Sequence, residues 1–299
     1  IDVGTWGSAE TPADILNAPG GSIFGGETGF WLKALSVFGD FVNNGQITGG
    51  GDNTGVHIVA GTFAGDVVNN EEISAASNAL HLEIGDLDGE IENTGNVTAT
   101  ALNGVAVALE IGNGATFTNS GGGLIIGDVV FGGDAAYHFV AEDGGVEGDL
   151  IGEGGEANDD TITVQNGAHY FVDGVASNFA SFVVEGGATA FMGARFEGDS
   201  AGGGYGFSNV DNLNVNNGGT LYIDRSATLL VDENFTQQAG GTVEFYLGAP
   251  GGAGFGYRLD DFGRVVSLRS PDGSVIDRAH DEADRIVAER DAVGSLARY

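Results

Sequence analysis

The sequence predicts an all-β chain wound as a right-handed, single-stranded parallel β-helix with an N-terminal cap and a short C-terminal α-helix. Three observations lead to this prediction: a short motif that recurs every 24 to 26 residues, alternation of apolar side chains with a period of two, and abundant glycine. Glycine occupies 55 of 299 positions without the three-residue period of collagen, so frequent turns account for it.

The recurring motif is an apolar residue, any residue, asparagine, any residue, glycine or glutamate, any residue and a second apolar residue. Its copies cover 41–47, 67–73 and 91–97, with a looser copy at 117–121. The asparagines stand at steps of 26, 24 and 26 residues and are Asn43, Asn69, Asn93 and Asn119. If each copy is one coil, these residues lie above one another about 4.8 Å apart, where their side chains can stack and hydrogen-bond along the axis.

A second column of short apolar triplets accompanies the first, which indicates at least two strands in each coil. The triplets are Val56-His57-Ile58, Leu80-His81-Leu82 and Val105-Ala106-Val107. From about residue 161 the unit becomes a strand, a glycine turn and a second strand. An antiparallel sandwich would show turns every 8 to 12 residues without a unit of twice that length, so the parallel β-helix is favoured.

The two ends differ from the body and predict three segments. Residues 1–36 are expected to form an irregular or part-helical cap, 37–250 the parallel β-helix and 251–299 a separate C-terminal segment. Apolar residues at helical spacing predict an amphipathic helix over 277–298, in which arginine and acidic residues alternate. The apolar positions are Ile276, Ala279, Ala283, Ile286, Val287 and Val293.

The charge of the chain excludes one class of function. Ten basic residues against 43 acidic ones give a formal net charge of −33, which repels nucleic acid and anionic membranes. Cysteine is absent, so disulfides and thiolate metal sites are excluded. No run of 18 apolar residues is present, so no transmembrane helix is predicted. The first residue is Ile1, from which we expect that any signal peptide was removed or not included.

These repeats, together with the stretch 229–245, resemble the passenger repeats of bacterial autotransporters. The resemblance covers roughly residues 37–248 and implies a right-handed parallel β-helix that is exported to the cell surface. In that family a C-terminal outer-membrane barrel follows the passenger, and we expect this barrel to be missing from the present chain. In that family a helix connects the passenger to the barrel. The predicted helix at 277–298 is either such a linker or a cap or contact with a neighbouring chain, and the cap or contact is slightly favoured.

Several segments bear a faint likeness to catalytic motifs. Gly198-Asp199-Ser200-Ala201-Gly202 resembles the Gly-Asp-Ser-Gly of serine proteases, but Ala201 replaces the second glycine, and a corner loop is favoured. Asp159-Asp160 and Asp260-Asp261 are paired carboxylates of the kind that polysaccharide-cleaving β-helices use. The body lacks the basic residues that such enzymes need. No residue is therefore predicted to be catalytic or to bind a cofactor.

Metal ligands are left open by the sequence. The segment 154–162 resembles one degenerate calcium-binding nonapeptide, so weak calcium binding by the acidic surface is favoured over a dedicated site. His57 and His81 share a register and are expected to stack about 5 Å apart on the outer face, with Ala106 as the next residue of the column. This pair is interpreted as solvent-facing rather than as a metal site, and His138 and His169 add no ligand spacing.

The sequence as a whole predicts an extracellular or bacterial cell-surface structural and adhesive module rather than an enzyme. Its expected partners are further copies of itself, joined in a filament or lattice, or a surface, host or matrix ligand. The alternative prediction is a carbohydrate-active β-helix enzyme, either a polysaccharide lyase or a hydrolase.

Overall fold

The computed structural model describes the chain in segments: 1–51, 54–101, 104–152, 159–165, 169–172, 174–192, 206–223, 227–246, 256–259, 265–269, 275–281, 285–290 and 296–298. Every regular element in the described residues is a β-strand. The strands form a parallel β-solenoid followed by an antiparallel meander. The solenoid agrees with the predicted architecture, whereas the right-handed sense of its winding stays a prediction.

The first part of the solenoid places three strands in each coil. These strands are β1 (Asp2–Trp6), β2 (Ile15–Asn17), β3 (Ser22–Gly25), β4 (Phe30–Phe38), β5 (Phe41–Asn43), β6 (Gln46–Gly49), β7 (Thr54–Ala64), β8 (Val67–Asn69), β9 (Glu72–Ala75), β10 (Asn78–Asp88), β11 (Ile91–Asn93), β12 (Asn96–Ala99), β13 (Val105–Ile111), β14 (Ala115–Asn119), β15 (Leu124–Ile126), β16 (Asp128–Gly132), β17 (Tyr137–Ala141), β18 (Gly144–Glu147), β19 (Leu150–Ile151), β20 (Thr161–Val164) and β21 (His169–Val172).

In the later coils the first two strands merge into one. These coils contain β22 (Ala176–Val184), β23 (Thr189–Met192), β24 (Gly206–Val215), β25 (Thr220–Ile223), β26 (Ala227–Gln237) and β27 (Thr242–Tyr246). The merger begins at β22, which pairs with both β19 and β20 of the preceding coil. The sequence predicted a unit of two strands from about residue 161, whereas the structure has this unit from Ala176, one coil later, because β20 and β21 still follow a separate first strand, β19.

Successive coils pair in parallel, and equivalent residues of the motif are in register. Phe41 pairs with Val67, Val67 with Ile91 and Ile91 with Phe117. The first and second strands of each coil belong to one sheet, and the third strands, from β3 to β27, belong to another. The predicted stacking of identical positions is therefore confirmed.

The asparagines of the motif form a buried column of hydrogen-bonded amides. The Nδ2 of each donates to the Oδ1 of the next at 2.7 Å, from Asn17 through Asn43, Asn69 and Asn93 to Asn119. Further N–H groups of the column donate to backbone carbonyls, as Asn93 does to Gly95 at 3.0 Å. Each buried amide thus meets the requirement that polar groups removed from water keep their partners. The column ends at Asn119, because Ala141 occupies the next position.

Apolar side chains fill the rest of the interior. In the third coil Val56, Ile58, Ala60 and Phe63 are buried along β7. The step from Ala60 to Phe63 departs from the period of two, and Gly61 lies within that step. A Cβ at the equivalent Gly85 would lie 2.7 Å from the carbonyl oxygen of Gly61, so the coils approach too closely here for a side chain.

The N-terminal segment differs from the prediction of an irregular or part-helical cap. Residues 1–36 contain β1, β2, β3 and most of β4, and Ile15 and Asn17 pair with Phe41 and Asn43 of the next coil. Two extra residues hid this copy of the motif. Ile23 follows Asn17 by six positions, whereas Ile47 follows Asn43 by four. Asn17 is thus the member of the column that the sequence analysis missed.

The predicted helix over 277–298 is wrong for the residues that the structure describes there. They form the strands β30 (Val275–His280), β31 (Ile286–Arg290) and β32 (Leu296–Arg298). These strands follow β28 (Gly256–Leu259) and β29 (Val265–Arg269). Together the five strands form an antiparallel meander that extends the second sheet. The alternating charges pair across strands and in turns instead of along a helix. Arg278 Nε lies 2.8 Å from Glu289 Oε1 on the neighbouring strand. β-branched residues such as Ile276 and Ile286 also favour strands.

No helix in the described part of the chain is long and apolar enough to cross a membrane. The boundaries between the three predicted segments, at 36/37 and 250/251, stay predictions.

The buried amide column gives a direct test of what holds successive coils in register. Replacing Asn69 with Ala removes the acceptor of Asn43 Nδ2 and the donor to Asn93 Oδ1. We expect the free energy of unfolding to fall by about 1–3 kcal/mol for each buried polar group left without a partner. Urea unfolding followed by circular dichroism measures this loss.

Asn70 provides the matched control for this substitution. It is the next residue, it is exposed, and its side chain hydrogen-bonds to Asn44 and Thr94 of the adjoining coils. We expect Asn70→Ala to change the free energy of unfolding by about 0.5 kcal/mol or less, as is usual for surface sites. An equal loss from both substitutions would show that burial of the amide column is not what stabilises the stack.

Candidate functional site: a histidine and glutamate cluster

Two neighbouring columns of side chains run along the outer face of the strands β4, β7, β10 and β13. The first column contains Trp31, His57, His81 and Ala108, and the second contains Lys33, Val59, Glu83 and Glu110. Residues two apart on a strand project from the same face, so the two columns stand side by side. This arrangement brings two histidines and two glutamates from three coils together.

The two histidines stack as expected. The ring centroids of His57 and His81 lie 4.7 Å apart, and the ring planes differ by 5°. The predicted continuation of the column was wrong, because Ala108 and not Ala106 pairs with His81. A slip of two residues keeps the same face inward and the same apolar pattern, so the triplets around Ala106 and Ala108 cannot be told apart by alternation.

The glutamates stand within reach of both rings. His57 Nε2 lies 2.8 Å from Glu83 Oε1 and donates a hydrogen bond to it, since an ionised carboxylate can only accept. His81 Nε2 lies 3.6 Å from Glu83 Oε1 and 3.5 Å from Glu110 Oε1. That nitrogen is shielded from solvent and has no hydrogen-bond partner among the described residues. One ring nitrogen of the cluster is thus left unsatisfied.

The chemistry of the cluster follows from its atoms. Imidazole nitrogens and a carboxylate oxygen are proton carriers and ligands of transition metals. One such atom from each of His57, His81 and Glu83 lies within 4.8 Å of the other two. The sequence contained a signal for this cluster, because Glu83 follows His81 by two residues and therefore shares its face.

The other candidate residues do not gather into a site. Asp160 is buried and accepts a hydrogen bond at 2.8 Å from the backbone N–H of Tyr137, whereas Asp159 is exposed. That pair is therefore split between the interior and the surface. The glycine-rich segment 198–202 and Asp260-Asp261 lie outside the described residues, as does most of the calcium-like stretch 154–162.

Two of the three remaining histidines, His138 and His169, were also weighed in the sequence analysis and lie on other strands than the cluster. His138 Nε2 lies 3.1 Å from the Thr163 hydroxyl. Burial lowers the pKa of His138 below its ordinary value, and the nearby charge of Glu185 opposes this shift. The side chain of His169 is outside the described part of the structure.

Acidic residues form a further column at the corner between the first two strands of the first four coils. The backbone N–H groups of Asp40, Asp66 and Glu90 donate to the Oδ1 atoms of Asp14, Asp40 and Asp66 at 2.9 to 3.1 Å. Hydrogen bonds to the ionised form favour it, so these carboxylates help to hold coil on coil despite their like charge.

Elsewhere the acidic surface costs stability. Partial burial and the neighbouring carboxylates of Glu233 and Asp232 raise the pKa of Asp211 above its ordinary value. A raised pKa means that the folded chain binds a proton more readily than the unfolded chain, so ionisation of Asp211 disfavours folding. This penalty fades as the pH falls through the range in which Asp211 takes up its proton.

Comparisons with known proteins give one partial match. The model of the family described as RHS Repeat matches residues 260–296, which overlap the antiparallel meander. No curated protein and no solved structure matches the chain.

Because like charges repel on this surface, we expect the thermal midpoint to rise when NaCl or CaCl2 is added. At low salt, Asp211→Asn should raise the midpoint, and the difference from the unaltered chain should shrink as NaCl screens the repulsion. Differential scanning fluorimetry over a salt series measures both effects. A larger rise with CaCl2 than with NaCl at equal ionic strength indicates weak calcium binding.

Asp134→Asn serves as the control because Asp134 is exposed and its removal changes the net charge by the same amount. We expect a smaller effect from Asp134→Asn. A thermal midpoint that stays the same over the salt series would contradict the claim that repulsion between acidic residues destabilises the fold.

Proposed function

We propose that the chain is a structural and adhesive module of a secreted or cell-surface protein. The observation that carries this proposal is the unbroken stacking of equivalent positions, with its buried column from Asn17 to Asn119. In such a stack the interior side chains hold the coils together, and the outward positions remain to vary and to contact other molecules. A function based on shape and surface follows from this division.

The partial match supports the same class of protein. RHS repeats are typical of cell-surface and secreted proteins, and the matched range contains the strands β29, β30 and β31, which continue the second sheet beyond β28. The resemblance of the coils to autotransporter passengers points to the same location. We include export of this kind in the proposal, with the passenger assignment resting on the repeats alone.

The finer part of the proposal is self-association through the first two coils. Large exposed apolar side chains in the described residues concentrate there, and these form the N-terminal apolar set: Ile1, Leu16, Phe24, Trp31 and Leu35. Phe24 and Leu35 are 73% and 74% exposed. Apolar surface concentrated in this way is typical of contact regions.

Charge favours a second copy joined end to end over one joined side by side. With a net charge of −33, two copies aligned along their length would place acidic surfaces against each other. A contact through the N-terminal apolar set keeps the two acidic bodies far apart. Lys33, the one lysine of the sequence, also lies in these coils.

Analytical ultracentrifugation of the full chain over a concentration series tests this association. We expect a reversible dimer, and we expect Phe24→Ser and Leu35→Ser each to weaken it by about tenfold or more, which corresponds to about 1.4 kcal/mol at an interface.

Leu230→Ser is the matched control, since Leu230 is 42% exposed but lies on β26, far along the chain from the N-terminal coils. We expect it to leave the association unchanged. A chain that stays monomeric at high concentration would overturn the self-association part and leave the structural role to be tested through ligand binding.

The proposal also treats the chain as non-enzymatic. Among the paired carboxylates, Asp160 is held inside by its contact with Tyr137 rather than presented to a substrate. Incubation with a panel of neutral and anionic polysaccharides should produce neither new reducing ends nor unsaturated products. Cleavage of any of them would establish the alternative, a carbohydrate-active β-helix enzyme.

A further inference from the structure

We propose that His57, His81 and Glu83 form a binding site for one divalent transition-metal ion of the Zn²⁺ class. The three ligand atoms come from two neighbouring coils and lie within 4.8 Å of one another. Glu110, from the next coil, lies 3.5 Å from His81 Nε2 and is the nearest candidate for the fourth position, which water fills otherwise. The site shares no residue with the surface proposed for self-association, although the two adjoin where Trp31 pairs with His57.

The distances suit a small ion. Tetrahedral ligands about 2.0–2.1 Å from Zn²⁺ stand about 3.3 Å from one another. His57 Nε2 and Glu83 Oε1 are now 2.8 Å apart, and His81 Nε2 and Glu83 Oε1 are 3.6 Å apart. The first distance is shorter and the second is longer than about 3.3 Å, so changes of a few tenths of an ångström at these two pairs suffice.

The rings must also turn for both nitrogens to face one ion. The planes of His57 and His81 are nearly parallel at 4.7 Å, whereas a shared ion lies in the plane of each ring that binds it. Both side chains are part-exposed, at 23% and 17%, so neither ring is fully enclosed by its neighbours and each can rotate about its Cβ–Cγ bond.

The unsatisfied nitrogen of His81 is the independent observation that points to a ligand. Shielded ring nitrogens normally have a hydrogen-bond partner, and this one has none in the described structure. An ion placed between His81, His57 and Glu83 gives that nitrogen a partner. It also replaces the hydrogen bond that His57 now makes to Glu83.

The donor atoms select the class of metal. Two imidazole nitrogens with one or two carboxylates suit Zn²⁺, Ni²⁺, Cu²⁺ and Co²⁺, whereas Ca²⁺ and Mg²⁺ require sets of oxygen atoms. A bound ion joins β7 to β10, and through Glu110 to β13, so it adds a link between coils that strand pairing, packing and the amide column already hold together. Binding should therefore stabilise the folded chain.

Isothermal titration of the full chain with ZnCl2 tests the site, with CaCl2 as the comparison. We expect one Zn²⁺ per chain to bind more tightly than Ca²⁺ and to raise the thermal midpoint. His57→Ala and His81→Ala should each weaken Zn²⁺ binding by more than the roughly 10–100-fold that loss of an outer-shell partner costs. Glu83→Gln should also weaken it, because the amide lacks the negative charge.

His138→Ala is the matched control, since it removes a histidine from the same sheet outside the cluster. It should leave the affinity unchanged. Circular dichroism of each variant without metal checks that the fold is intact, and Co²⁺ bound by the unaltered chain should show the visible spectrum of a tetrahedral nitrogen and oxygen site. Equal affinities for all variants, or equal affinities for Zn²⁺ and Ca²⁺, would show non-specific binding by the acidic surface and overturn the proposal.

Discussion

The pairing of each residue with its counterpart one coil away is the constraint on which the rest of the structure depends. Because the strands are parallel, one position in the repeat becomes a column, and a favourable contact within a column is repeated at every coil. The amides from Asn17 to Asn119 use this geometry most fully, since each of the three inner side chains is both donor and acceptor within the column and the hydrogen bonds point the same way. Chains of this kind polarise one another, which strengthens each bond.

The same constraint explains the outer face. Neighbouring acidic residues are harmless where their carboxylates accept hydrogen bonds, as the corner aspartates do from backbone N–H groups, whereas partial burial and the charges of Glu233 and Asp232 raise the pKa of Asp211. The histidine cluster is a third outcome, in which two neighbouring columns supply complementary groups. Whether a column stabilises the fold, destabilises it or makes a site is therefore decided by which side chain follows two residues later on the strand.

The sequence predicted the architecture well where the repeat is unbroken and poorly where it is interrupted. Asn43, Asn69, Asn93 and Asn119 were placed correctly because their spacing barely varies, whereas Asn17 was missed because two extra residues lengthen the turn behind it. Alternation fixes the face of a residue and leaves its register open by steps of two, which is why Ala106 was taken for Ala108. The stacking of His57 on His81 was predictable, but the convergence of Glu83 and Glu110 required the register.

The C-terminal helix was mispredicted for a different reason. Apolar residues at steps of three and four together with alternating charges are compatible with an amphipathic helix. The same residues are also compatible with short strands whose charges pair across the sheet, as Arg278 and Glu289 do. Only the open edge of β27 distinguishes the strands from the helix, because its unpaired backbone N–H and C=O groups can hydrogen-bond to a neighbouring chain segment that is extended. That information is tertiary and lies outside any local pattern.

In the described residues the meander covers only one of the two sheets, and this asymmetry leaves the other sheet with an open edge. In the described residues β27 has a neighbour on each side, whereas β26 pairs with β24 alone and leaves the growing edge of the first sheet open. An exposed parallel edge invites templated addition of foreign strands, the event that begins amyloid growth. Asp232 and Glu233 lie on this strand and are exposed. Charged side chains on an edge strand disfavour pairing with a second chain, so the carboxylates that raise the pKa of Asp211 would also disfavour addition of a strand at this edge.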